Sequence, residues 1–166
     1  MRRGILLIGF SVAAIVGILA VTVGLAGASN DTVRAQGTNS FEPNTLIQST
    51  FHWNPGQISV ASGGQLRFAA QTEGFEPHTI SVVTAAQVPK TVDQVFQCSV
   101  CNKIFGFLDG HRVYDPGNDG LNADYDTWFL PPGKSVTVTV SAPAGTLLHF
   151  ICAIHPWMQG VINVTS

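Results

Sequence analysis

A thiol, an imidazole and a thioether occur within seven residues near the C-terminus, where the chain reads CAIHPWM from Cys152 to Met158. Cysteine and methionine are otherwise rare, because the 166 residues include only three Cys and two Met. Sulfur ligands are soft and imidazole is intermediate, and one thiolate, two imidazoles and a weak axial Met form a mononuclear copper site. Zinc sites more often use several Cys or His without Met. The alternative is that Cys152 is an inert, buried core residue.

The loop supplies one imidazole, His155, so a second histidine must come from elsewhere in the chain. His78 is the best candidate, because it begins a predicted strand directly after Pro77 and can lie at the same end of a sandwich as the loop. His149 alternates out of phase with Cys152 along its strand and is predicted to face away from the site. His52 precedes the first predicted strand and is predicted to lie at the surface.

Cys98 and Cys101 form a C-x-x-C pair in the middle of the chain. The pair is not a haem attachment site, because Asn102 stands where a histidine is required. In an exported chain a structural disulfide is the leading interpretation. Thiol–disulfide exchange and a second metal site that includes His111 are the alternatives.

The elements that must position these residues are predicted to be short strands. Period-2 alternation and Gly/Pro punctuation predict strands over residues 57–61, 65–69, 78–83, 134–140, 146–152 and 160–164. The first two flank a Ser-Gly-Gly turn and are predicted to form a hairpin. This pattern indicates an all-β, two-sheet sandwich. An insert at about 84–126 breaks the pattern, with a helix predicted over 91–103 and a long loop after it.

Residues 5–28 contain neither charge nor proline and follow two arginines. As a helix they reach about 36 Å, which spans a bilayer. We therefore expect residues 1–28 to be an uncleaved transmembrane anchor, with a signal peptide, whose apolar region is usually about 7–15 residues, as the alternative. Either interpretation exports the rest of the chain to the periplasmic or extracellular side. Residues 29–45 are predicted to be a polar linker, and 46–166 one domain.

Charge excludes one class of partner. Charged residues make up 11% of the chain and the formal net charge is −2, whereas an average soluble protein has roughly 25% charged residues. No basic cluster follows the apolar segment, so we expect no nucleic-acid partner.

The spacing Cys152-x2-His155-x2-Met158, followed by Gly160, resembles the cupredoxin family of type 1 blue copper proteins, which includes the plastocyanins and azurins. The short ligand loop is most similar to that of the amicyanin-like members. Residues 76–79, EPHT, resemble the family's first-histidine motif. With similar strand and turn patterns, the resemblance covers about 57–84 and 127–165.

This resemblance implies one copper ion bound by His78, Cys152 and His155 with Met158 in the axial position. It also implies an eight-stranded Greek-key β-sandwich and one-electron transfer between protein redox partners, without enzymatic activity. The sequence departs from the family at Thr79, where many members have Asn, and in the insert. A copper storage or delivery protein with the same ligands is one alternative function. A thiol–disulfide exchange protein built on the C-x-x-C pair is an alternative of another class.

The loop is also a candidate surface for electron transfer and docking. His155 is followed by Pro156 and Trp157, and an imidazole edge at the surface is a natural exit for an electron. Exposed aromatic residues often mark interfaces, so Trp157 is predicted to belong to a docking patch. Packing of Trp157 within the loop is the alternative.

Overall fold

Two β-sheets enclose a shared core in the computed structural model, which describes residues 31–71 and 75–166. The predicted anchor or signal segment at 1–28 lies outside the described residues. Among the residues that are described, no helix is long and apolar enough to cross a membrane.

The elements follow in chain order. They are β1 (Thr32–Gln36), β2 (Asn39–Glu42), β3 (Leu46–Ser49), β4 (His52–Asn54), β5 (Gln57–Ala61), β6 (Gly64–Ala69), β7 (His78–Val83), α1 (Val92–Phe96), α2 (Ser99–Leu108), β8 (Val113–Tyr114), β9 (Thr127–Leu130), β10 (Ser135–Val140), β11 (Leu147–Ile151) and β12 (Gln159–Thr165).

The first sheet has the order β10-β6-β1-β4 and the second β5-β12-β11-β7-β9-β8, while β2 and β3 form a separate ribbon. In the described part of the chain, four and six strands therefore form the two sheets, where the resemblance implied eight in total.

The core lies between the sheets because alternate side chains of each strand point inward. In β6, Leu66 and Phe68 are fully buried. In β11, Leu148 and Phe150 belong to the same core cluster, and the alternation continues to Cys152 as predicted. The rings of Phe68 and Phe150 pack edge to face across the core, with centroids 5.5 Å apart. Burying each such ring stabilises the fold by about 1.5–3 kcal/mol.

The predicted hairpin over 57–61 and 65–69 is wrong, although both segments are strands. β5 pairs in parallel with β12 in the second sheet, whereas β6 pairs with β10 and β1 in the first. The turn between them crosses from one sheet to the other through Gly63, which has φ +80°. The N–H of Gly63 donates to the carbonyl of Val140 rather than closing a hairpin. Alternation identifies strand residues, but it carries no information about their partners.

The predicted linker over 29–45 also differs from the structure, since it contains β1 and β2. Val33 and Ala35 of β1 are buried at 0% and 2% exposure. β1 pairs with β6 in parallel and with β4 in the antiparallel sense. Its sequence, TVRAQ, has only two small inward apolar side chains, so its mostly polar composition conceals a strand that pairs between two others.

The insert forms two helices where the sequence predicts one. Thr91 caps α1, because its side-chain oxygen accepts a hydrogen bond from the N–H of Gln94. A second helix, α2, begins after Cys98 and ends at Asp109, which has a left-handed backbone with φ +39°. One face of α2 is buried against the outer surface of the second sheet. The central strand β7 is consequently buried along its whole length.

Candidate metal centre

The structure brings His78, Cys152 and His155 together at one end of the sandwich. His78 begins β7, Cys152 follows β11, and His155 lies in the loop from β11 to β12. The ligand atoms of the three residues all lie within 4.8 Å of one another. The Sγ atom of Cys152 is 3.8 Å from Nδ1 of His78 and 3.8 Å from Nδ1 of His155. All three residues are buried, with exposures of 0%, 0% and 7%.

The ligand loop is closed by its own backbone. The N–H of Cys152 donates to the carbonyl of Met158 at 2.9 Å, and the N–H of Met158 donates to the carbonyl of His155 at 2.8 Å. Met158 is fully buried in the core cluster that contains Cys152. Gly160 follows because a Cβ at this position would overlap the ring of Phe150. The chain can therefore re-enter the sheet directly beneath the site.

Thr79 connects the two halves of the site. Its N–H donates to Sγ of Cys152 at 3.3 Å. Its Oγ1 accepts a hydrogen bond from the N–H of Ala153 at 2.7 Å and another from the hydroxyl of Ser81 at 3.1 Å. The threonine that departs from the family pattern thus ties β7 to the ligand loop through its side chain as well as its backbone.

Burial sets the protonation of the three donors. The pKa of His78 is lowered to about 4, mainly by desolvation and to a lesser extent by the nearby His155. Desolvation also lowers the pKa of His155, and Glu76 opposes this effect. Desolvation raises the pKa of the Cys152 thiol. Hydrogen bonds to the sulfur lower this pKa by a smaller amount, and the largest such effect comes from the Thr79 N–H. Both imidazoles are therefore neutral and ready to bind metal at pH 7, while the thiol needs a nearby cation to give up its proton.

The geometry fits a metal ion. Nitrogen and sulfur ligands bind first-row ions such as zinc at about 2.0–2.3 Å, and two ligands of one ion are then separated by roughly 3.5–4 Å. The two 3.8 Å separations agree with this spacing. The set of one thiol, two imidazoles and a buried Met is that of a type 1 copper site. The residues present thus fit one copper ion.

Two aromatic residues that the sequence reasoning missed hold the histidines in place. The ring centroid of Phe51 lies 5.6 Å from that of His78 and 5.1 Å from that of His155. Trp53 packs on His78 at 5.5 Å. The buried Nε2 atom of His78 has no hydrogen-bond partner among the described residues, so ring packing orients that side of the imidazole. Trp53 lies in the three-residue strand β4 and Phe51 directly precedes it, so the segment is too short for its periodicity to reveal this role.

The outer edge of the site is formed by Trp157 and Glu76. Trp157 is 39% exposed, and its ring centroid lies 5.3 Å from that of His155. Pro156 between them is buried. Trp157 also lines a surface groove together with Ile47, Val92 and Phe96, all of which are exposed. The sequence motif EPHT gave no role to Glu76, but the Oε2 atom of this residue lies 3.6 Å from Nε2 of His155.

The remaining cysteines and histidines lie outside this cluster. Cys98 and Cys101 form the predicted disulfide, with an S–S distance of 1.96 Å, and both are buried. This bond leaves neither sulfur free to join His111 in a second metal site, and Cys152 is the free cysteine. His52 is exposed as expected, and its Nδ1 contacts the carbonyl of Thr50. His149 is half-buried and lies outside the core cluster.

Comparisons with known proteins give matches among solved structures only. No protein-family model and no curated protein matches the chain. Reduced auracyanin from Roseiflexus castenholzii is 21% identical, and the match covers 84% of this chain and 100% of that one with a TM-score of 0.45. A purple cupredoxin from Nitrosopumilus maritimus is 12% identical, with coverages of 82% and 100% and a TM-score of 0.45. The copper-containing nitrite reductase of Thermus scotoductus SA-01 is 17% identical over 82% of this chain and 22% of that chain, with a TM-score of 0.44.

The described residues confirm the coarser part of what the cupredoxin resemblance implied. The described residues form a mainly β, two-sheet sandwich with a small helical insert. Ligand atoms from residues 78, 152 and 155 converge at one end of it. The chain is therefore cupredoxin-like in its fold and in its set of metal donors.

Proposed function

We propose that this chain is a type 1 blue copper protein that shuttles single electrons between redox partners outside the cytoplasm. The observation that carries the proposal is the convergence of one thiol and two imidazoles, each Nδ1 3.8 Å from Sγ of Cys152, at a buried site. His78, Cys152 and His155 would hold the copper ion, with Met158 as a weaker fourth ligand.

The protein's contribution is to keep these donors in place. A bound copper ion would supply a one-electron couple. Electron transfer is fast when ligands move little between the two oxidation states, and the chain provides that rigidity. The loop is closed by the two backbone hydrogen bonds of Met158, and Thr79 ties Cys152 to β7. Burial of the donors excludes water from the site.

An electron carrier is favoured over an enzyme because the donor set leaves no position for a substrate. The four donors fill the roles of a type 1 site, whereas a catalytic metal keeps an open position. His155 is the ligand nearest the surface, beside the exposed Trp157 ring. We therefore propose that electrons pass through the edge of His155 and that Trp157 belongs to the surface that meets the redox partner. The prediction that Pro156 also belongs to this surface is wrong, because Pro156 is buried.

We also propose that the domain is exported and held at the membrane by residues 5–28. The apolar length of this segment supports an anchor. The Cys98–Cys101 bond supports an oxidising compartment such as the periplasm or the cell exterior, because cytosolic thiols are usually kept reduced.

The test is a visible spectrum of the full chain, purified in detergent and titrated with Cu(II). We expect an intense thiolate-to-copper band that ascorbate bleaches and oxidation restores. Cys152→Ser should abolish the band, whereas His52→Ala, at an exposed position outside the cluster, should retain it. The absence of the band from the wild-type protein would refute the blue-copper proposal. Loss of copper on reduction would favour storage or delivery of the ion instead.

A further inference from the structure

The insert covers the rear of the strand that carries the cysteine ligand. Ile151 and Ala153 flank Cys152 and, by alternation, lie on the opposite face from it. Both are buried in a second apolar cluster, here called the rear cluster. The rear cluster also contains Val83 of β7, the Cys98–Cys101 pair and three further residues of α2, namely Val100, Ile104 and Leu108. Cys152 and the disulfide thus lie on opposite faces of the segment 151–153.

A second contact joins the insert to the ligand loop. The Nε2 atom of Gln159 donates to the carbonyl of Pro89 at 2.7 Å and to the carbonyl of Pro156 at 3.0 Å. Pro89 is a buried residue that precedes α1, and Pro156 follows His155 in the loop. Gln159 therefore holds the loop to the insert on the side away from β7.

Ala153 links the rear cluster to the donors. It packs against the insert, and its N–H donates to Oγ1 of Thr79. Thr79 in turn donates its own N–H to Sγ of Cys152. A displacement of α2 would consequently move Ala153 and disturb the hydrogen bond at the sulfur.

We propose that the insert is a brace for the ligand loop, with Gln159 and the Cys98–Cys101 disulfide as its positioning residues. The disulfide closes the turn at which α2 begins, where Cys98 caps the helix and its sulfur accepts the N–H of Cys101. Without this bond, α2 packs less firmly on Ile151 and Ala153, and Cys152 becomes more mobile. The role at copper rests on the proposed function, whereas the effect on Cys152 is present in the metal-free protein.

The metal-free test measures how fast Cys152 is alkylated by iodoacetamide under native conditions in the full chain. The double variant Cys98→Ala/Cys101→Ala leaves Cys152 as the sole cysteine. Buried groups react through local opening, so we expect alkylation to be about tenfold faster in this variant. Gln159→Leu removes the second contact without altering the rear cluster and should also accelerate alkylation. Phe105→Ala, on the exposed face of α2, is the matched control and should react at the wild-type rate.

The copper-loaded test compares the thiolate-to-copper band and the reduction potential of the same variants. We expect both to shift in the double variant and in Gln159→Leu, and to stay at the wild-type values in Phe105→Ala. A folded double variant with the wild-type alkylation rate, band and potential would contradict the proposed role of the insert. A lower unfolding midpoint in that variant would show only that the disulfide stabilises the fold. If the wild-type protein shows no blue band, the proposed function fails. The alkylation rates would still decide whether the insert holds Cys152 in place.

Discussion

The Oε2 atom of Glu76 lies 3.6 Å from Nε2 of His155, at the edge of the donor cluster nearest the surface. The other carboxylate oxygen accepts a hydrogen bond from the side-chain amide of Asn39 at 3.0 Å. A residue of the β2–β3 ribbon thus orients a negative charge toward the imidazole that we propose as the electron exit. Burial lowers the pKa of His155, and Glu76 acts in the opposite direction.

Replacing Glu76 by Gln should therefore lower the pKa of His155 further in the metal-free protein, because the charge that favours the imidazolium is removed. NMR titration of the His155 ring protons measures this shift. Glu42→Gln is the matched control, since Glu42 is an exposed carboxylate on the same strand as Asn39, and it should leave the pKa of His155 unchanged. An unchanged or higher His155 pKa in Glu76→Gln would contradict the prediction.

Thr79→Val should destabilise the metal-free protein by about 1–3 kcal/mol, because the buried N–H of Ala153 loses its acceptor. Thr79→Ser keeps a hydroxyl at this position and should lose much less. Urea unfolding of the three proteins at pH 7 gives the comparison. Equal stabilities for the valine and serine variants would show that the hydroxyl contributes nothing.

The stability of the metal-free protein should fall as the pH decreases from about 6.5 to about 4. The pKa of His78 is about 4 in the folded chain against 6.5 for a histidine side chain in water, so over this interval the unfolded state binds the proton more readily. At about 1.4 kcal/mol per pKa unit, the loss from this group amounts to at most about 3 kcal/mol. Urea unfolding from pH 7 to pH 4 measures it. His78→Gln should flatten the pH dependence, and a variant with the wild-type slope would contradict the prediction.

Gly160→Ala should destabilise the protein by about 1–3 kcal/mol, because the new Cβ would overlap the buried ring of Phe150 directly under the ligand loop. Gly106→Ala is the matched control. Gly106 lies on the exposed face of α2 with no atom near the position of a Cβ, so this substitution should stabilise by about 0.5–1 kcal/mol. Thermal unfolding distinguishes the two variants, and a Gly160→Ala protein as stable as the wild type would refute the packing argument.

The spacing of the ligand loop predicts three candidate donors, because Cys152, His155 and Met158 are close in the chain and a short loop must keep them close in space. His78 was identified by the chemistry of the incomplete set and by its place at the start of a strand. Phe51 and Trp53 gave no such signal. Their contacts with the histidines join residues that are more than 20 positions apart, and no local period records such a contact.

For the strands too, the sequence predicts local features but not long-range pairing. Alternation located β5, β6, β7, β10 and β11 nearly to the residue, since one buried face imposes a period of two on the sequence. It could not show that β5 and β6 belong to different sheets, because either sheet would bury the same side chains.

Residue type and short-range spacing were enough to predict the candidate donors, the strand positions and the presence of an insert. The folded chain was needed to show that Glu76 faces His155, that Thr79 binds both Cys152 and Ala153, and that the disulfide-bonded insert covers the rear of the ligand strand. These relationships depend on packing between segments that are distant in the chain, and their energies are realised only when the two sheets and the insert come together.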